Sequence, residues 1–238
     1  MQLSNAVALI TGASRGLGLE VARAYASHGA KLIIAARGSE ALDAATKELS
    51  RSTEVEALAL DVSEDAEGLV QAGLNRFGRI DVLINNASEL GPSPMPALER
   101  YDWQDLERVL RVNVLAPLHL VQLVLPGMKA RGDGVIINVT SDAGVDAYPG
   151  WGGYGASKAA LEHLSRTLAA ELGGSGVRVY VVDPGDMNTE MHQLAEPGED
   201  LSGLPGPAVS APAFVTLVEQ TTAPFLRVKA QDSPLVSS

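Results

Sequence analysis

Six short runs rich in Val, Ile, Leu and Ala recur along the chain: VALIT (7–11), KLIIAA (31–36), VEALAL (55–60), VLIN (82–85), VIINV (135–139) and VRVYVV (177–182). Most are continuously apolar rather than alternating, the pattern of strands covered on both faces. Segments with helical spacing separate them: Leu17 to His28, Ser39 to Ser50, Ser63 to Phe77, Asp102 to Ala130 and Tyr154 to Leu172. Strand alternating with helix restricts the chain to an α/β fold, a parallel sheet with helices on both faces. No composition break divides its 238 residues, so a single domain over 1–238 is expected.

Three later features complete the outline. Pro117 should kink the helix that starts at Asp102, and Pro126 with Gly127 should close it. Prolines at 197, 205, 207 and 212 make 190–212 a substrate loop or lid. A short helix (213–221), a last strand (225–229) and a tail (231–238) end the chain.

Directly after the first run stands TGASRGLG (11–18), opening into a helix. Gly12, Gly16 and Gly18 permit a tight turn and close backbone approach, and the N–H groups around Ser14, Arg15 and Leu17 sit at a helix start that favours a pyrophosphate. The spacing differs from G-x-G-x-x-G, since three residues separate the first two glycines and one the last pair. Cofactor choice is readable at the end of the second strand, where an NAD enzyme places a carboxylate for the ribose 2′-hydroxyl. Here Ala36 is followed by Arg37, and with Arg15 it offers two cations to a 2′-phosphate, so NADP(H) is expected over NAD(H).

Other classes are disfavoured. A net charge of −11 with no basic run opposes nucleic-acid binding. Absence of cysteine removes disulfides and thiolate chemistry, and His28, His119, His163 and His192 show no metal-ligand spacing, so no metal is expected. The start of the chain has no basic lead before its apolar run, and no uninterrupted apolar stretch approaches about 18 residues. No membrane association and a cytoplasmic location are therefore expected.

The segment GGYGASKAALEHL (152–164) places Tyr154 and Lys158 four residues apart, on one face of a helix. A free tyrosine titrates near about 10, and an ammonium within about 4 to 6 Å favours the phenolate, which makes the phenol a usable acid and base. Ser141 stands thirteen residues upstream at the end of the fifth strand, where its hydroxyl can meet a substrate oxygen, and Asn113 precedes Pro117 by four. Singly, these are a packed ring, a surface charge, a strand-end hydroxyl and a cap; their joint placement points to chemistry.

Taken together, TGASRGLG (11–18), LDV (60–62), NNA (85–87), Asn113 in RVNVLAP, Ser141 in INVTSDAG, YGASK (154–158) and DPGDMNT (183–189) resemble the short-chain dehydrogenases/reductases in their short single-domain branch. The resemblance runs from Val7 to about Thr189 and implies a Rossmann-type doubly wound parallel sheet of about seven strands. It implies that Asp61 and Val62 meet the adenine, that Asn86 and Ala87 run beside the ribose, and that Asn85 braces the central strands. It further implies that Pro184, Gly185 and Thr189 rim the nicotinamide, that Lys158 binds the ribose, and that Asn113 holds a proton-relay water. The reaction implied is transfer of the pro-S hydride between NADP(H) and a small-molecule carbonyl or alcohol, in a homodimer or homotetramer. Two alternatives remain: a non-catalytic NADP(H)-binding sensor or scaffold, and a sugar-nucleotide epimerase, for which the stretch after Thr189 is short.

Several positions depart from the family pattern. Ser88 replaces the glycine that usually follows NNA, Asp142 follows Ser141, and Asp186 follows Pro184-Gly185. The two aspartates either give the pocket an acidic character or face solvent. Tyr148, Trp151, Met95, Met187, Met191 and His192 fall on loops expected to border a partly apolar substrate pocket. The end of the chain lacks the family's usual glycine-rich ending, a region that commonly builds the subunit interface.

Overall fold

The structure, a computed structural model, describes residues 1–232. The apolar runs form β1 (Val7–Thr11), β2 (Lys31–Ala36), β3 (Val55–Ala59), β4 (Val82–Asn85), β5 (Gly134–Val139), β6 (Val177–Asp183) and β7 (Phe225–Lys229). Among the described residues these strands make one seven-stranded sheet of order β3-β2-β1-β4-β5-β6-β7. Every pairing is parallel.

Parallel strands need crossover helices, which here are α1 (Gly16–Ser27), α2 (Ser39–Leu49), α3 (Ala66–Phe77), α4 (Trp103–Leu110), α5 (Ala116–Arg131), α6 (Gly152–Glu171), α7 (Glu190–Ala195) and α8 (Ala211–Glu219). Alternate strand residues address opposite layers. Ala8 and Ile10 of β1 pack with Val21 and Tyr25 of α1 and Phe214 of α8. Val7 and Leu9 pack with Leu69 of α3 and Leu120, Val124 and Met128 of α5. Each such side chain contributes roughly 1.5–3 kcal/mol when fully buried, which explains why the central strands carry no charged residue on either face.

Between α4 and α5 the helix widens over Arg111–Leu115, where the Ala116 N–H reaches back five residues to the Arg111 carbonyl. Pro117 accounts for this, because it has no N–H to offer the carbonyl four residues earlier, that of Asn113. Pro126, by contrast, does not close the helix as expected. The helix runs on to Arg131 and ends at Gly132 with φ 68°. The proline is tolerated because Pro126 and Gln122, whose carbonyl it leaves unbonded, both face solvent. The helical stretch 103–131 is long and apolar enough to cross a membrane by length and composition, yet half of its apolar window is buried inside the fold.

The segment 190–212 is more regular than its prolines suggest. Thr189 caps α7 by accepting from the His192 N–H at 3.3 Å, and a further short turn covers Pro207–Val209. Of the expected tail, Gln231 donates its amide to the Asp186 carbonyl at 2.9 Å, whereas 233–238 lie outside the described residues.

Candidate active site

The first crossover places β2 on one side of β1 and the third, from β3, places β4 on the other, opening a crevice at the carboxyl ends of β1 and β4, the standard ligand position in such sheets. The glycine turn lines it. Gly12 and Gly16 hold φ of 67° and 57°, the left-handed region that suits glycine. A Cβ on Gly18 would lie 2.3 Å from the Gly12 carbonyl oxygen and 2.5 Å from Asn86 Nδ2. Helix α1 has no side-chain cap and no acidic residue in its first turn, so the free N–H groups at Gly16 and Leu17 suit an anion. This cradle fits a dinucleotide pyrophosphate.

Asn86 has a second duty beside the expected one at the ribose. Its Nδ2 donates to the carbonyls of Thr11 (2.9 Å) and Gly12 (3.1 Å), while the N–H groups of Asn86 and Ala87 both donate to Thr11 Oγ1 at 3.0 Å. Thr11, which sequence reasoning did not single out, thus joins β4 to the glycine turn. Below, Asn85 donates to Asn138 Oδ1 at 2.7 Å and braces the central strands as expected.

Past the carboxyl ends of β2 and β3 an open groove of about 280 Å³ is lined by Arg37, Asp61, Ser63, Glu89, Arg108 and Arg111. Asp61 Oδ1 accepts from the N–H (2.9 Å) and hydroxyl (2.7 Å) of Ser63, and Val62 is buried beside it. The two arginines expected to face a 2′-phosphate are each paired with a glutamate, Arg37 with Glu89 at 3.3 Å and Arg15 with Glu190. Both arginine side chains are about two-thirds exposed, 64% and 67%, and pairs so exposed are worth about 0–1 kcal/mol, so an incoming phosphate can displace them.

The structure brings the other four residues together at the mouth of the crevice. Tyr154 and Lys158 lie in the first turns of α6 at 9% and 2% exposure. Lys158 Nζ donates to the Val139 carbonyl at 2.9 Å and stands 5.4 Å from the centre of the Tyr154 ring. Asn113 Nδ2 donates to the Glu89 carbonyl (2.8 Å) and to Ser157 Oγ (2.9 Å), and Ser157 donates to the Tyr154 carbonyl at 2.6 Å. Asn113 Oδ1 accepts from the Glu89 N–H at 2.7 Å and from Ser88 Oγ at 3.2 Å. Ser141 Oγ donates to Asp142 Oδ1 at 2.9 Å, so it must rotate before it can meet a substrate oxygen.

The expected lowering of the Tyr154 pKa by Lys158 is not what this geometry produces. Burial pushes the Tyr154 hydroxyl up to about 12; the neighbouring Ser88 hydroxyl opposes the rise, and the charges of Asp183 and Asp142 add to it. Burial likewise brings Lys158 down to about 8. The ammonium is held by Val139 over the ring face, and the groups that move the phenol are its burial, Ser88, Asp183 and Asp142. Because the unfolded lysine titrates near 10.5 and the folded one near 8, the burial penalty is complete below pH 8 and is relieved as pH rises to 10.5. Chemical denaturation should therefore show stability rising from pH 8 to about 10, before Tyr154 deprotonation in the unfolded chain reverses the trend, and Lys158→Met should flatten that rise.

Ser88 is a site residue that sequence reasoning marked only as a departure; its signal was the missing glycine after NNA. Around the rim, Gly185 has φ 75° and donates to Asp183 Oδ1 at 2.9 Å, Pro184 accepts from Ser210 Oγ at 2.7 Å, and Thr189 is engaged in capping α7. Met95 and Trp151 pack against Tyr154, Leu90, Ala143 and Ala195. Met187, expected at the pocket, is instead buried in the core layer with α8, its Sδ 3.7 Å from Ser210 Oγ.

Comparison with known proteins places this geometry in a context. The family model for short chain dehydrogenase matches residues 6–200. Glycine betaine reductase ATRR of Emericella nidulans is 36% identical over 200 residues, 83% of this chain but 16% of that much longer protein. An uncharacterized oxidoreductase of Thermotoga maritima is 39% identical over 192 residues, 80% of this chain and 75% of the relative. Among solved structures, a metagenomic short-chain oxidoreductase in complex with NADP superposes with a TM-score of 0.80 at 32% identity, covering 95% of this chain and 98% of its own. A 7α-hydroxysteroid dehydrogenase complexed with NADH and 7-oxo glycochenodeoxycholic acid gives 0.85 at 28% identity, covering 97% and 95%.

Proposed function

The chain belongs to the short-chain dehydrogenase family of oxidoreductases, and from that premise we propose that it reduces a carbonyl group, or oxidises the matching alcohol, with NADP(H). The observation that carries the proposal is the pair on α6: a buried lysine ammonium held over the ring of a buried tyrosine, one helical turn apart, at the ligand-binding edge of the sheet. When bound, the dinucleotide supplies or accepts the hydride at its nicotinamide C4, on the pro-S face if this chain follows its family. The remaining steps belong to side chains of this protein.

Tyr154 carries the proton. With its hydroxyl raised to about 12 it stays protonated at neutral pH and donates to the carbonyl oxygen as charge develops there. Ser141 turns from Asp142 to the same oxygen. Lys158 grips the ribose and, when charged and drawn from Val139 toward the phenol, returns a proton to it. Asn113, in the widened turn of the helix just before Pro117, holds the water that connects Lys158 to solvent. Gly12, Ser14, Arg15, Gly16, Leu17 and Gly18 cradle the pyrophosphate, Asp61 and Val62 the adenine, Asn86 and Ala87 the ribose, and Pro184, Gly185 and Thr189 the nicotinamide. The intact quartet speaks against a sensor that has lost turnover. Exposed Trp103, Leu115 and Leu118 on the α4–α5 face support a homo-oligomer, which we place in the cytoplasm.

A screen of aldehydes, ketones and alcohols with NADPH and NADP+, read by reduced-nicotinamide absorbance, tests the reaction; tight NADPH binding with no turnover of any substrate would favour the sensor. Cofactor choice is tested separately. Arg37→Ala should raise the KM for NADPH by roughly 10- to 100-fold and change that for NADH by less than about threefold, because only the former carries the 2′-phosphate. Equal effects on both would remove Arg37 from phosphate recognition.

A further inference from the structure

Asp142 is a charged group beside the reacting centre that the proposed reaction does not use. It follows Ser141 directly, and its Oδ1 accepts from Ser141 Oγ at 2.9 Å and from the Ala143 N–H at 2.8 Å. Its Oδ2 accepts from the Tyr148 hydroxyl at 3.0 Å. Among the described residues no Lys, Arg or His forms an ion pair with it, whereas the glutamates on the cofactor side, Glu89 and Glu190, are each paired with an arginine. A half-buried carboxylate whose hydrogen-bond donors are all neutral keeps a net negative charge that can attract a cation.

Beside this carboxylate stands a run of three rings. Tyr148 and Trp151 meet edge-on with centroids 6.5 Å apart, and Trp151 and Tyr154 do the same at 5.9 Å. Ring faces are electronegative and attract alkylammonium groups, most strongly for Trp. Lys158 already takes one face of Tyr154 from the buried side. Tyr148 is 43% exposed and Trp151 half-buried, so both rings are within reach of a ligand entering from solvent.

We propose that the substrate is a short amino-carbonyl compound whose alkylammonium group is held by Asp142 and the rings of Tyr148 and Trp151. This rests on the carbonyl reduction proposed above and adds the substrate class. Hydrogen-bond lengths set the reach: a substrate oxygen about 2.8 Å from Ser141 Oγ lies within about 6 Å of Asp142 Oδ1, so a nitrogen one or two carbons from the carbonyl can reach that carboxylate. The field at the phenol has the same sign, since Asp183 and Asp142 both oppose ionisation of Tyr154. The cation opposing such a substrate is Lys158, at 2% exposure beneath the ring and lowered to about 8. A carboxylate on the substrate would meet like charge at Asp142 and is rejected.

Three methyl ketones of similar shape separate the possibilities: acetonyltrimethylammonium, its neutral isostere 4,4-dimethylpentan-2-one, and acetoacetate. Binding to the NADP+-loaded protein by calorimetry and turnover with NADPH are measured for each. The proposal expects the cation to bind roughly 10- to 100-fold more tightly than the neutral isostere, with acetoacetate weakest. In Asp142→Asn the cation-to-neutral ratio should fall to within about threefold of unity, and in Trp151→Leu it should fall part of the way. Wild-type protein that binds the neutral or anionic ketone as well as the cation overturns the proposal, whatever the variants do. Preferred binding of the cation without NADPH oxidation would leave the ammonium site standing and remove the reductase reading. Reduction of the neutral ketone with no cation preference would do the reverse.

Discussion

Tyr154→Phe is expected to lower turnover by roughly 10²- to 10⁴-fold, the range that one positioned proton donor supplies, while NADPH binds within about twofold of the wild type. The substitution leaves the surroundings in place. The ring still packs edge-on against Trp151 at 5.9 Å, Lys158 keeps its bond to the Val139 carbonyl and its seat over the ring, and Ser157 still donates to the backbone carbonyl of residue 154. Ser88 keeps its bond to Asn113 Oδ1 at 3.2 Å. Only the proton goes. Steady-state kinetics with the best substrate of the screen and a fluorescence titration with NADPH separate the two effects. Turnover close to normal would remove Tyr154 from the chemistry; loss of both activity and binding would assign it a structural part.

Gly18→Ala should abolish useful dinucleotide binding, raising the dissociation constant by about 100-fold or more, a loss of roughly 2.7 kcal/mol. Its Cβ would stand 2.3 Å from the Gly12 carbonyl oxygen and 2.5 Å from Asn86 Nδ2. The first contact is with backbone, which cannot rotate away, and the second breaks the amide that fastens Gly12 to β4. Relief therefore moves the glycine turn itself and with it the N–H groups at the start of α1. Circular dichroism and a melting curve verify that the sheet persists, and NADPH fluorescence reports affinity. A folded variant that binds NADPH normally would show that the pyrophosphate lies elsewhere.

The strands and crossover helices were legible because their signals are local: a continuously apolar run followed by helical spacing says parallel sheet before any contact is known. The glycine turn and the Tyr154–Lys158 spacing were legible for the same reason. Long-range pairings were not. Arg15 meets Glu190 across 175 positions and Arg37 meets Glu89 across 52, so neither arginine showed in the sequence as a partnered charge. Lysine and tyrosine four apart share a helix face, yet the direction of the ammonium depends on the Val139 carbonyl, 19 residues away on β5, and the burial that raises the phenol comes from the fold around it. Pro126 misled because a proline breaks a helix interior only where the carbonyl it orphans lacks water, and Gln122 faces solvent. Met187 looked like a pocket residue because its loop borders the site, although its side chain packs in the core with α8, a contact across more than twenty positions.

The central claim, hydride transfer to a carbonyl with Tyr154 giving the proton, is tested most directly by following the label from NADPH deuterated at the pro-S position of nicotinamide C4. With a reducible substrate of the panel, the wild-type protein should deliver deuterium to the carbonyl carbon of the alcohol product, and Tyr154→Phe should yield the same labelled product at a rate lower by roughly 10²- to 10⁴-fold. An alcohol without deuterium, or NADPH bound tightly and left unoxidised across aldehydes, ketones and the amino-carbonyl probes, would contradict it.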